Sequence, residues 1–151
     1  MSSETFPAFG VALLRISLGV MYLAHSVLLK FFTFGLAGTA GYFESIGLPA
    51  WLAYATFVAE AIGGVMLVLG IYSRWAAVAL IPALIGAIIW AHSANGWVFT
   101  APNGGWEYPL YLIVLSIAQF LLGDGALALR PSRTPAALWW RKHPCLPPTS
   151  L

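Results

Sequence analysis

The stretch Trp51-Leu-Ala-Tyr-Ala-Thr-Phe-Val-Ala-Glu60-Ala-Ile-Gly63-Gly64-Val-Met-Leu-Val-Leu-Gly70-Ile-Tyr-Ser-Arg74 decides how the chain is read. Its apolar run is long enough to cross a bilayer, which takes roughly 20 helical residues for about 30 Å of hydrocarbon. A single carboxylate, Glu60, sits near its middle. A charge at that depth costs at least about 2.5 kcal/mol on insertion scales, so Glu60 is expected to face protein and not lipid. Gly63 and Gly64 follow directly, where a neighbouring helix can approach closely. The remaining chain then reads as the surroundings that make Glu60 tolerable.

Composition agrees with that reading. Of the 151 residues, 60% are hydrophobic and only 8% are charged, against about 25% charged in a soluble domain. One cysteine, Cys145, excludes an internal disulfide, a CxxC redox pair and a thiolate metal cage. No phosphate loop, nucleophile–base pair or nucleic-acid signature is present, so no nucleic-acid partner is expected. The opening Met1-Ser-Ser-Glu4 has no basic stretch and no small-residue cleavage site, so the first apolar segment is expected to be retained as a membrane helix.

Four apolar segments follow, at about 8–29, 50–71, 75–93 and 106–122. The expected fold is an all-α membrane protein: a four-transmembrane-helix bundle over residues 1–124, then a basic tail, 125–151, containing proline and tryptophan. Pro82 lies inside the third segment, which membrane helices tolerate when neighbours satisfy the freed carbonyl. Four crossings leave both termini on one side. That side holds Arg74, Arg130, Arg133, Arg141 and Lys142, and the other holds Lys30 alone. The positive-inside rule makes the first side cytoplasmic. The tail sets its basic residues beside Trp139 and Trp140, which suits an anionic leaflet. In the outer loop between helices 1 and 2, Ala40, Phe43, Ile46 and Gly47 recur at helical spacing before Gly-Leu-Pro49. This predicts a short amphipathic helix on the membrane surface. The second outer loop, 94–107, is rich in turn residues and reads as irregular.

The polar residues inside the segments are the candidate site. Arg15 lies about 10 Å, and Glu60 about 16 Å, from the cytoplasmic ends of their helices at 1.5 Å per residue, so the two are expected to meet. On a helical wheel Arg15 shares a face with Gly19, Tyr22 and Ser26, and Glu60 shares one with Ala53, Thr56, Phe57 and Gly64. Gln119 aligns with Tyr108, Leu112, Ser116 and Gly123. Each helix thus offers a polar, small-residue stripe suited to a bundle interior. Such a set can bind a polar head group or relay protons; an ion pair locking two helices is the structural alternative. His25 and His92 fall at matching depth, roughly 25 Å up. They open a second reading as axial haem ligands or, with Glu107, ligands of a transition metal. Glu107 starts segment four, where a carboxylate suits the positive helix end, and Lys30 is its expected partner, with Glu44 competing.

These residues resemble the DoxX family of small four-helix membrane proteins. The resemblance rests on Leu14-Arg15-Ile-Ser-Leu18-Gly19 with Ala24-His25 and Lys30, and on Gly38-Thr-Ala-Gly-Tyr-Phe-Glu44-Ser-Ile-Gly47-Leu-Pro49. Ala59-Glu60-Ala-Ile-Gly63-Gly64 leading to Gly70 and Arg74 continues it, and Gly105-Trp-Glu107-Tyr-Pro-Leu110 completes it. Where many relatives have His-Gly, this chain has His25-Ser26. The resemblance implies a bacterial inner-membrane protein. Relatives include the quinone-reducing membrane subunit of a thiosulfate–quinone oxidoreductase, and proteins tied to thiol-oxidant defence, quinone or catechol stress, or metal handling. Carried over by position, Arg15, His25, Lys30, Glu60 and Glu107 match the family pattern.

The leading expectation is therefore a quinone-interacting subunit of a membrane redox or oxidative-stress system. Arg15 or His25 would polarise a quinone carbonyl and Glu60 would exchange protons, inside a pocket shared by Tyr22, Gly64, Gln119, Lys30 and Glu107. Its electrons would come from another redox or membrane protein. A non-catalytic scaffold docking a partner through the outer loops, a small proton-coupled transporter and a haem or metal protein are the other readings. A homo-oligomer is compatible with each.

Overall fold

The computed structural model describes residues 5–132. Among them every regular element is helical, and the one β-like feature is an isolated bridge between Ile71 and Arg130. Helix α1 (Thr5–Leu23) continues without a break into a π-helical stretch, Ala24–Thr33. A short helix α2 (Leu36–Ser45) follows, then α3 (Trp51–Leu69). Next, α4 (Ser73–Ala79) and α5 (Ile81–Gly86) stack end to end and run on as a π-helical stretch, Ala87–His92, and a 3₁₀ turn, Ser93–Asn95. The last helix is α6 (Glu107–Leu122). The junction at Leu80 answers Pro82: the proline sits in the first turn of α5, where its missing N–H leaves no bond unmade.

Three continuous helical stretches are long and apolar enough to cross a membrane: Phe6–Thr33, Trp51–Leu69 and Ser73–Asn95, of 28, 19 and 23 residues. The fourth apolar helix, α6, has 16 residues, or about 24 Å of length at 1.5 Å per residue. Large apolar side chains point away from the protein along all four, among them Leu13, Val20, Ile62, Val65, Tyr111 and Leu121. The interior is the more polar region: Arg15, Glu60, Ser116 and Gln119 are all buried, Arg15 to 1% exposure and Gln119 to 0%. Apolar outside and polar inside is the arrangement of an integral membrane protein, whose outer surface meets lipid.

The packing centre is the crossing of α1 over α3. A β-carbon at Gly19 would lie 2.8 Å from the Gly64 carbonyl oxygen and 2.7 Å from a Val68 methyl, so the two backbones touch through a gap that no side chain fits. The adjacent Gly63 serves the other neighbour, since a β-carbon there would meet the Leu80 side chain. Leu18, Tyr22, Leu67, Leu80, Leu84 and Leu112 fill the remaining core. Ser26 is fully buried, and its hydroxyl donates to the Tyr22 carbonyl at 2.8 Å.

One end of the bundle is tied into a knot by residues 123–132. The Ala126 N–H donates to the Ala8 carbonyl at 2.9 Å, the Arg130 N–H to Gly70 at 3.0 Å, and the Tyr72 N–H to Arg130 at 2.9 Å. Gly70 turns left-handed (φ +68°) with the Arg15 guanidinium against its α-carbon, so any side chain there is both strained and obstructed. Asp124 anchors the knot by accepting from the Ser73 hydroxyl, from the Ser132 N–H at 2.7 Å and from the Ser132 hydroxyl at 2.9 Å. The proposed leaflet-binding residues Arg133, Trp139, Trp140, Arg141 and Lys142 lie outside the described residues.

Burial on its own would raise the Asp124 pKa, but the hydrogen bonds from Ser73 and Ser132 outweigh it and hold the carboxyl below its ordinary value. A depressed folded-state pKa stabilises fully above the unfolded value of about 4, and that stability is lost as pH falls through the folded value. Asp124→Asn should therefore lower the thermal unfolding midpoint at neutral pH by several degrees, for a loss of about 1–3 kcal/mol. The gap to the unmodified protein should close below about pH 4, as followed by circular dichroism in detergent. An equal gap at all pH values would show that Asp124 stabilises through shape and not charge.

Candidate functional site

At the end opposite the knot the helices splay around a cavity of about 540 Å³, within the roughly 300–1,000 Å³ usual for small-molecule sites. Its wall is mostly apolar, with a few polar side chains converging on it: Tyr22, His25, Lys30, Glu60, His92 and Tyr108. Two lie in the first π-helical stretch and one in the second. Such stretches bond i to i+5, and each extra residue per turn re-aims the side chains that follow. Phe43, Ile46 and Leu48, from α2 and the loop behind it, line the cavity from one side. The Thr39 hydroxyl ties α2 down by donating to the Lys30 carbonyl at 3.3 Å.

Glu60 and Lys30 form an ion pair in the cavity wall, with side chains 11% and 18% exposed. This corrects the expected pairing of Glu60 with Arg15. The Arg15 guanidinium turns toward the knot instead and donates to the Ala126 carbonyl at 3.2 Å and, at the limit of bonding distance, to that of Leu127. The expected Lys30–Glu107 pair is corrected by the same observation. Glu107, in the first turn of α6, accepts the Phe99 N–H at 3.2 Å and braces the 96–107 loop, where the Trp97 and Trp106 rings meet edge to face. Both pairings were drawn from depth alone. Depth does not register that the helix carrying Lys30 extends to Thr33 through a π-helical stretch, nor that residues 123–132 fold back to offer carbonyls to Arg15.

The two histidines share one local arrangement. His25 Nδ1 lies 3.1 Å from the Met21 carbonyl oxygen, and His92 Nδ1 lies 2.9 Å from that of Gly104. A carbonyl oxygen only accepts, so each Nδ1 carries a proton, and in the neutral tautomer this leaves each Nε2 with a lone pair. The His25 ring also stacks near Tyr108, with centroids 6.0 Å apart. Two oriented acceptors can take hydrogen bonds from hydroxyl groups or bind a metal, but among the described residues no group of three or more His, Cys, Asp or Glu could hold one.

Of the residues singled out from sequence, the cavity unites Glu60, Lys30, His25, Tyr22 and His92. It does not include Arg15, Gly64, Gln119 or Glu107. Gly64 packs against Leu23, and the Gln119 amide donates to the Gly123 carbonyl. Thr56 and Tyr108, placed on inward-facing stripes from sequence but not chosen for the site, and Trp90, not singled out at all, are also cavity residues. Tyr108 had a signal, since it shares a helical face with the buried Leu112 and Ser116; Trp90 had none, because a π-helical stretch leaves no compositional mark.

Comparison with known proteins adds the following. The sequence model of the DoxX family matches residues 10–93. The chain is 37% identical over 122 residues to a Bacillus subtilis protein named "Putative oxidoreductase CatD", covering 81% of this chain and 85% of that one. It is 31% identical over 128 residues to an "Uncharacterized protein" of Haemophilus influenzae, covering 83% and 92%. No solved structure matches.

An ion pair in the wall of an apolar cavity is costly to break from one side, since the lone charge stays behind. Lys30→Met and Glu60→Gln, each alone, should lower the unfolding midpoint of the purified protein. The double variant should recover much of the loss, with a coupling of about 1–3 kcal/mol. Strictly additive losses in the double-mutant cycle would show that the two side chains do not support each other.

Proposed function

The chain belongs to the DoxX family of membrane proteins, and from that premise we propose that it binds a quinone or quinol in its cavity and serves a membrane redox system. The observation that carries this reading is the cavity's chemistry, with extended apolar walls and both donors and acceptors among the lining side chains. Apolar walls suit a flat ring and its hydrocarbon chain. The Tyr22 hydroxyl and the Lys30 ammonium are donors for carbonyl oxygens, and the two Nε2 atoms accept from hydroxyls. One wall therefore serves both the oxidised and the reduced form. Glu60 pairs with that ammonium and positions it in the cavity wall.

A bound quinone would supply two-electron, two-proton chemistry. The electrons come from a partner redox protein, since the chain has no redox motif of its own. The name of the Bacillus relative is in keeping with an oxidoreductase system. In this reading the chain crosses a bacterial inner membrane four times, α6 making the shortest crossing. Arg74 and Arg130, at the knot end, make that end cytoplasmic by the positive-inside rule, which places the cavity in the outer half of the bilayer. The scaffold reading draws on the 96–107 loop, whose braced backbone presents Val98 and Phe99 outward; a partner docked there would sit beside the cavity. The transporter reading is weaker, because Lys30 already occupies Glu60.

Trp90 in the cavity wall gives a direct assay, since a quinone quenches nearby indole fluorescence. A short-chain naphthoquinone titrated into the detergent-solubilised protein should quench saturably. His25→Ala and Lys30→Met should weaken binding about tenfold each, corresponding to about 1.4 kcal/mol. The lipid-facing Ile62→Ala should leave binding unchanged. No saturable quenching, or equal affinity in all variants, overturns the quinone reading.

A further inference from the structure

Among the described residues, the seam between α1 and α6 carries a row of buried polar atoms whose hydrogen bonding is incomplete. They are the Tyr22 hydroxyl, the Ser116 hydroxyl, the Gln119 carbonyl oxygen, and Nε and Nη1 of Arg15. All four side chains are 1% exposed or less. The Tyr22 and Ser116 hydroxyls lie within reach of each other, a contact that uses one of their two protons, and Tyr22 lines the cavity. Gln119 stands one turn beyond Ser116 on α6, and Arg15 stands seven residues before Tyr22 on α1, about 10 Å away along the axis. Because Arg15 bonds the carbonyls of Ala126 and Leu127 just past the end of α6, both series descend the same way, from the cavity to the knot.

A buried polar atom left without a partner costs about 1–3 kcal/mol, and the large majority of such atoms in folded proteins are satisfied. Even with the two hydroxyls bonded to each other, one hydroxyl proton, the Gln119 oxygen and two Arg15 nitrogens are left, and they call for a partner that is not protein. Internal water, typically making about three hydrogen bonds per molecule, is the partner that both donates and accepts. The row needs both, since Arg15 only donates, the Gln119 oxygen only accepts, and the two hydroxyls do either.

We propose that the α1–α6 seam holds a file of buried water that conducts protons between the cavity and the Asp124 end of the bundle. At the cavity the Tyr22 hydroxyl passes its proton to an acceptor oxygen and takes one from the adjoining water, so tyrosine ends as it began. Ser116 and the Gln119 oxygen order the middle of the file. Arg15 keeps its proton throughout and orients the last water. Asp124 lies within electrostatic reach of Arg15 and offsets the positive charge that would otherwise repel a proton there. The use of the file, to supply or drain protons as a quinone changes state, rests on the function proposed above; its existence does not.

Gln119 is the single glutamine in the chain, so ¹⁵N-glutamine labelling gives one side-chain amide signal from the middle of the seam. In the full-length protein in lipid nanodiscs, without quinone, that amide should show a cross-peak to water. It should also exchange with D₂O at least about tenfold faster than the backbone amides of α6. Ser116→Val should remove the cross-peak and slow the exchange about tenfold, while Ser116→Thr, which keeps the hydroxyl, should retain both. Should Ser116→Val fail to fold, Tyr22→Phe tests the cavity end by the same readout. A Gln119 amide as protected as its helix, with no water cross-peak, overturns the file and leaves the quinone reading standing. Absence of quinone binding overturns that reading and leaves this measurement as it is.

Discussion

A carboxylate halfway along a lipid-crossing helix has to find a cation within the protein, and the rest of this structure is arranged around the one that Glu60 finds. Lys30 lies near the far end of the first crossing, not at mid-depth, and reaches Glu60 from there. For the ammonium to be in place, the helix must run on to Thr33 and widen into a π-helical stretch. The widened end keeps the helices apart, and the space between them is the cavity. The widening also has a compensation at hand, since the Thr39 hydroxyl of α2 hydrogen-bonds the Lys30 carbonyl. The same demand that makes Glu60 tolerable thus opens a room beside it and gives the room a charged wall.

The opposite end solves a different problem with the same kind of residue. Arg15 is buried to 1% exposure, and among the described residues no carboxylate hydrogen-bonds to it. Its hydrogen bonds go to backbone carbonyls, which exist there because residues 123–132 return to the bundle and because Gly70 leaves no side chain in the way. A guanidinium can live among carbonyls, whose partial charges accept its fork of donors. Lysine, with one compact charge, suits the pair with Glu60; arginine, with several directed donors, suits the knot. The two cations therefore divide the interior into an open, ligand-sized half and a closed, structural half.

What the sequence made legible follows from that division. The apolar helical segments, the burial of Arg15, Glu60 and Gln119, and the close approach at Gly63 and Gly64 were readable, because an apolar surround drives polar groups inward. The DoxX resemblance was readable from motif order. The partners were not. A helical wheel assumes 3.6 residues per turn, and the assumption fails past Leu23, where the cavity residues His25 and Lys30 lie. Arg15 lost its expected partner for another reason: its acceptors are main-chain oxygens 111 and 112 residues away, and backbone carbonyls carry no residue signature. Glu107 was correctly placed at the start of α6, but its acceptor oxygen serves the Phe99 backbone, for which sequence likewise has no mark.

The asymmetry of the two ends has a consequence for how a ligand enters. The knot closes its end with backbone hydrogen bonds from Ala126, Leu129 and Arg130, so nothing ligand-sized passes there without local unfolding. At the cavity end, the wall contributed by α2 is tied to its neighbour by the single side-chain bond from Thr39 to Lys30, and the face it turns inward is apolar. An apolar flap held by few polar contacts opens at less cost than a hydrogen-bonded knot. In the proposed function, a hydrocarbon-tailed ligand would therefore enter on the α2 side, from the lipid or its surface. Protons have no such freedom in lipid, and in the proposed reading they would travel along the polar seam toward the closed end.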